Sequence, residues 1–210
     1  MRALRVAGGL CVAYVSVGIA LASFGYVTGS PTMYDVLFRY KYVAHLGVVW
    51  LHGVGGTVAL AVGPFQFWPW LRTRWPRLHR TFGMVYLLAV GCAGLFGLDM
   101  ALDAYGGAPA CAAFVTQDVL WLATAWLAWS TVRRRQFAHH REWMFRNFAL
   151  TFGAATARLY LAWLQGRGLD FLAIYPYVTW LSWVPNVLLV EVCLRGHPGS
   201  PRKYQRGGRQ

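Results

Sequence analysis

A chain of 210 residues that is 57% hydrophobic and only 13% charged cannot clothe a soluble domain in a polar surface. Its net charge of +13 would suit nucleic acid, but the basic residues fall in short stretches between apolar runs, which speaks against a nucleic-acid face. Apolar runs of about 20 residues, the length of a bilayer-crossing helix, predict an all-α, polytopic membrane bundle of six transmembrane helices in one domain.

Residues 6–26 form the first run, behind Arg2 and Arg5. A cleaved signal peptide has the same outline, with Ala20-Leu21-Ala22 as a cleavage candidate, but the run is long for that role and favours a retained helix. Residues 28–40 read as a polar loop. The second span, 42–62, carries His45 and His52 on one face, with Gly53, Gly55 and Gly56 allowing close helix packing. Gly63-Pro64 ends or kinks it. An aromatic stretch to Trp70 leads into a basic loop holding Arg72, Arg74, Arg77, His79 and Arg80.

The third span, 81–102, contains Gly91, Gly94, Gly97 and Asp99, and the fourth, 112–132, has Gln117 and Asp118 near its start. A second basic stretch, Arg133 to Arg141, includes His139 and His140 and precedes the fifth span, 143–164. The sixth, 171–194, contains Pro176, Pro185, Asn186 and Glu191. The tail, 195–210, is basic and rich in Gly and Pro, a composition that predicts disorder.

Placing the N-terminus inside puts fifteen Lys and Arg in inner segments and three (Arg39, Lys41, Arg167) in outer ones, with Arg146 and Arg158 inside the fifth span. This bias predicts that both termini are cytoplasmic, in an inner (cytoplasmic) membrane, with inner arginines meeting anionic lipid headgroups. Association with further copies is compatible with a bundle of this size. The four cysteines are scattered and form neither a disulfide framework nor a metal knuckle; small buried apolar residues is their simplest role.

Two polar clusters are candidates for chemistry. At about 1.5 Å per residue, His52, Asp118 and Arg158 fall at comparable depth in the outer half, with Asp99 nearby. An intramembrane Arg needs a counter-ion, so Arg158 is expected to pair with Asp118 or Asp99. A structural ion pair is the plain account; a proton-coupled transport site is the sharper one. At the inner edge, His79 and His140 begin successive odd-numbered helices. Facing imidazoles can ligate a haem iron, with Arg80, Arg141 and Arg146 holding propionates or another anion, or line a quinone site. The plain account is interfacial residues meeting headgroups. Glu191 either pairs with Arg195 four residues on or relays protons. No P-loop, GxSxG, CxxC or HExxH pattern is present, and no metal site is expected beyond the haem iron.

On the fifth helix, taking His140 as origin, Asn147, Thr151 and Arg158 fall within about 20° of one face. A polar stripe of this kind must face protein, water or a cofactor.

Gly63-Pro64-Phe65-Gln66-Phe67, Leu78-His79-Arg80 with Gly83 and Tyr86, His140-Arg141 with Trp143-Met144 and Arg146, Arg158, and Trp183 with Pro185-Asn186 together resemble the bacterial and fungal multi-pass membrane proteins catalogued as domain of unknown function 2306. The resemblance runs from about Ala44 to Glu191 and implies a multi-helix membrane domain without an assigned reaction. A looser architectural similarity is to cytochrome b561 and ferric-reductase-like haem bundles. There His79 and His140 match one helix pair in outline, and helix four lacks the histidine a second haem would need. The expected function is therefore membrane redox chemistry with a single b-type haem or a quinone, or else a small proton-coupled transporter or a non-catalytic membrane subunit or sensor.

Overall fold

A computed structural model describes residues 2–27 and 44–196. The expected loop at 28–40, the first two residues of the second span and the tail beyond Gly196 lie outside the described residues. The described chain contains helices and turns and no strand. In order these are α1 (Arg2–Ala22), the short α2 (Phe24–Val27), α3 (Leu46–Val62), a 3-10 segment (Gly63–Phe67), α4 (Pro69–Arg74), α5 (Pro76–Leu102), α6 (Gly107–Arg133), α7 (Phe137–Gln165), α8 (Phe171–Leu181) and α9 (Val184–Gly196).

Four of these segments are long and apolar enough to cross a membrane: Leu46–Phe67, Pro76–Leu102, Gly107–Arg133 and Phe171–Gly196. Val6–Ala22 is apolar but shorter. The expected fifth span is a special case. α7 has 29 residues, ample for a crossing, yet Arg141, Glu142, Arg146 and Arg158 set it apart in composition. Its polar groups are tolerated because its middle is enclosed by protein. Every residue from Arg146 to Thr151 is buried, which no helix with a lipid-facing side could show. The remaining helices pack around it, with α6, α8 and α9 as its main neighbours and α3 and α1 also touching it.

Small residues set the spacing. A Cβ at Gly55 of α3 would stand 2.8 Å from the Ala89 carbonyl and 3.0 Å from the Ala93 Cβ of α5, so these helices meet backbone to backbone. Gly56, next in sequence, faces open space. Gly63 lies against the rings of Phe148 and Tyr86, which draws the 3-10 segment onto α5 and α7. On α1, Ala13, Ser16 and Ala20 form the buried stripe, and Ala20 packs with Leu60 of α3 and Ala155 of α7. Elsewhere α1 shows Val6, Leu10, Tyr14 and Leu21 outward, and large apolar side chains such as Leu88, Leu95, Trp126 and Leu189 are likewise exposed. In a bilayer these meet acyl chains.

Proline and glycine place the ends. Pro76 opens α5 ahead of the apolar run at Thr81, because a missing N–H costs nothing in a first turn. Gly106 precedes α6 with φ 92°, the left-handed region. The last apolar segment is broken at Ser182–Trp183. Pro185 has no N–H to continue the ladder there, and the Asn186 side chain donates to the Ser182 carbonyl at 2.9 Å across the break. All four cysteines are free; Cys11 and Cys193 are exposed rather than buried.

Candidate functional site

The bundle has two chemically distinct ends. The α5–α6 link, with Asp103 and Tyr105, marks one; the arginine-rich segments around α4 and the α6–α7 link mark the other.

At the Asp103 end, α3, α5, α6, α7 and α8 enclose a cavity of about 420 Å3. His52, Asp118 and Arg158 all line it. α3 supplies His52, whose Nδ1 donates to the Ala93 carbonyl of α5 at 2.8 Å. Because a carbonyl can only accept, this fixes the hydrogen on Nδ1 in the neutral ring and leaves Nε2 as an acceptor. α6 supplies Asp118, 7% exposed. No donor among the described residues bonds its carboxyl. The two groups meet over Gly97: a Cβ there would stand 2.6 Å from Asp118 Oδ2 and 2.9 Å from His52 Nδ1. Glycine at 97 is what lets them approach.

Arg158 reaches the cavity from α7, exposed, with Nη1 donating to the Ala154 carbonyl at 2.9 Å. Asp99 is exposed and lies off the cavity. It follows Gly97 by two residues, about 200° around the helix, so depth along the axis alone misplaces it in this cluster. Asp103, past the end of α5, lines the cavity instead. A single acid in a link between helices leaves no periodic signal in the sequence.

The cavity floor joins a buried polar network. Trp121 Nε1 donates to Thr151 Oγ1 at 2.9 Å, and both residues face the cavity. The Tyr86 hydroxyl lies 2.7 Å from Thr151 Oγ1 and donates to Asn147 Oδ1, also at 2.7 Å. Asn147 Nδ2 donates in turn to the Trp121 carbonyl at 2.7 Å and to Thr124 Oγ1 at 2.8 Å. Asn147 and Tyr86 are fully buried. The stripe expected along α7 thus faces protein at Asn147 and Thr151 and the cavity at Thr151 and Arg158. The i, i+4 spacing of Asn147 and Thr151 was visible in the sequence. Their partners Tyr86, Trp121 and Thr124 were not, because a Tyr, Trp or Thr in an apolar run reads as packing.

At the arginine end, His140 Nδ1 donates to the Ala128 carbonyl at 2.8 Å, again leaving Nε2 as the free acceptor. Burial lowers the His140 pKa from its ordinary value, against the raising effect of that hydrogen bond. His140 lies within electrostatic reach of His79, whose Nδ1 is buried without a partner. Arg80 and Arg141 are exposed, and Arg141 sits over the Phe145 ring.

Arg146 is placed differently from the anion-holding role expected for it. It is buried, with Nε bonded to Glu191 Oε1 at 2.5 Å, a contact to Glu142 at 3.7 Å, and its guanidinium over the Trp143 ring. Arg146 is therefore committed to acids and ring. Glu191 likewise is held by Arg146, with Arg195 at 3.9 Å four residues on.

Among the described residues no group of three His, Cys, Asp or Glu side chains gathers to hold a metal ion. A second concavity, an apolar groove of about 820 Å3 along α1, α7 and α9, is lined by residues such as Leu10, Phe67, Phe152 and Leu189. Neither it nor the first cavity is lined by His79 or His140.

Residues 49–194 match the family model described as "Predicted membrane protein (DUF2306)". That match spans well over half of the chain, and the chain belongs to this family. No curated protein and no solved structure matches.

Proposed function

We propose that this member of the DUF2306 membrane-protein family is a small proton-linked carrier, with the His52–Asp118–Arg158 cavity as its ligand site. Asp118 carries the reading: a nearly enclosed carboxyl, facing a cavity and without a protein donor among the described residues. Structural acids in apolar bundles are paired or hydrogen-bonded, as Glu191 is here. An acid left open to a cavity is available to a proton or a ligand.

In this reading the chain crosses the membrane six times, α7 included, with both termini in the cytoplasm. The arginine end then faces the cytoplasm and its anionic headgroups, and the cavity opens towards the outer side. Arg146 and Glu191 pin α7 to α9 at the inner end.

The test is a vesicle assay. Purified protein is reconstituted around a trapped pH dye and offered a panel of anionic, cationic and neutral small solutes. At least one solute should drive proton movement that Asp118→Asn abolishes in a variant with unchanged melting temperature. Proton movement driven by no solute in the panel would count against a carrier.

A second reading rests on one separate observation. His79 Nδ1 is buried without a partner near His140, whose Nε2 is open as an acceptor. These would be the axial ligands of a single b-type haem at the arginine end, with Arg80 and Arg141 towards its propionates. A reduced-minus-oxidised spectrum of protein made with ample haem should show a b-type band that His140→Ala removes. A blank spectrum would retire this reading and leave the cavity untouched.

A further inference from the structure

Several donors of the cavity lining are spent on protein acceptors, while the Arg158 guanidinium stands at its exposed rim. His52 Nδ1–H goes to the Ala93 carbonyl, and Gln117 Nε2 goes to the Leu150 carbonyl at 3.2 Å. Trp121 Nε1–H goes to Thr151 Oγ1 at 2.9 Å. What these residues leave for a ligand is a set of acceptors: the Asp118 carboxylate, His52 Nε2 and Gln117 Oε1. Charge points the same way. The ionisable groups facing Asp118 across the cavity are His52 from α3, Asp103 and Tyr105 from the α5–α6 link, Arg158 from α7 and Tyr175 from α8. Among the described residues the lining has two carboxyls and one guanidinium beside an imidazole, so the site with a proton on Asp118 is near neutral and the Asp118 carboxylate calls for a cation. Phe114, Trp121 and Tyr175 give it aromatic walls, which favour a cation.

We propose that the cavity takes a primary organic ammonium, its three N–H groups directed to Asp118, His52 Nε2 and Gln117 Oε1, in exchange for a proton on Asp118. An enclosed carboxyl with no protein donor has two ways to be neutralised, a proton or a cation, and it holds one at a time. When the ammonium enters, the proton leaves to water. No covalent bond is made or broken. Arg158 lies towards the exposed rim and turns the ligand so that its charged end goes inward. This inference rests on the carrier reading for the site's location and adds the chemical class of what it carries.

Calorimetry on the full-length protein in detergent tests it, with phenethylamine as probe and 2-phenylethanol as its neutral counterpart. Phenethylamine should bind with release of about one proton, and its affinity should rise about tenfold per pH unit while the site is protonated. The alcohol, benzyltrimethylammonium (which has no N–H) and the Asp118→Asn variant should each be weaker by roughly a hundredfold. Asp118→Glu keeps the charge and should keep proton release. If Asp118→Asn does not fold, as its melting curve will tell, the amine-to-alcohol ratio on the native protein decides alone.

Equal binding of amine and alcohol, pH-independent affinity, or no binding of the amine overturns the proposal. The vesicle panel separates the two readings. Amine binding with proton release in detergent but no proton movement in vesicles keeps the ligand class and removes the carrier. Proton movement driven only by anions or neutral solutes does the reverse.

Discussion

Tyr86 shows how much one hydroxyl can organise. It is fully buried on α5 and bonds two residues of α7, Asn147 and Thr151, each of which also bonds α6. Three helices are thereby fixed in register by groups that would each be costly if left alone. Tyr86→Phe keeps the ring and removes the hydroxyl. It should cost about 1–3 kcal/mol, read as a lowered melting temperature, because Asn147 Oδ1 loses its donor in a dry core. Phe at 86 with wild-type stability would show that the network is dispensable. Of this network the sequence shows Asn147 and Thr151 as an i, i+4 pair and nothing of their partners. A hydrogen bond between residues about sixty apart leaves no local pattern.

Between helices, the decisive feature is the glycine that touches. α3 offers Gly53, Gly55 and Gly56, and sequence alone cannot rank them. Gly55 meets α5, with the Ala89 carbonyl in the way of any added atom, and Gly56 faces open space. Gly55→Ala should separate α3 from α5 and cost about 1–3 kcal/mol, whereas Gly56→Ala should leave the melting temperature unchanged or slightly raised. The comparison of the two curves checks this, and equal effects would mean the helices do not meet at Gly55. The same contact carries the site, since His52 reaches the Ala93 carbonyl only while α3 and α5 stay close. α7 makes the opposite point about legibility. Its charges mark it as special in the sequence, but composition makes it a poor span. Burial of consecutive residues from Arg146 to Thr151 shows that protein, in place of lipid, surrounds its middle.

For the whole molecule, orientation is the open physical question with a direct answer. If the arginine end is cytoplasmic, a cysteine placed at Arg134 should be labelled by a membrane-impermeant maleimide only after the cells are opened. One placed at Asp103 should be labelled in intact cells. Reversed labelling would move the cavity to the cytoplasmic side. Composition determined that the chain is helical and belongs in a membrane, because backbone groups in lipid must bond within their own segment and too few charges exist to serve water. It also singled out His52, Asp118 and Arg158, since polar groups in apolar runs are rare and stand out. Tertiary structure alone decided that Asp103 and not Asp99 joins them, and that Arg146 and Glu191 are spent on each other. It also spent the N–H groups of His52, Gln117 and Trp121 on protein acceptors. Those outcomes depend on helix rotation and on contacts between distant segments, which periodicity within one helix cannot carry.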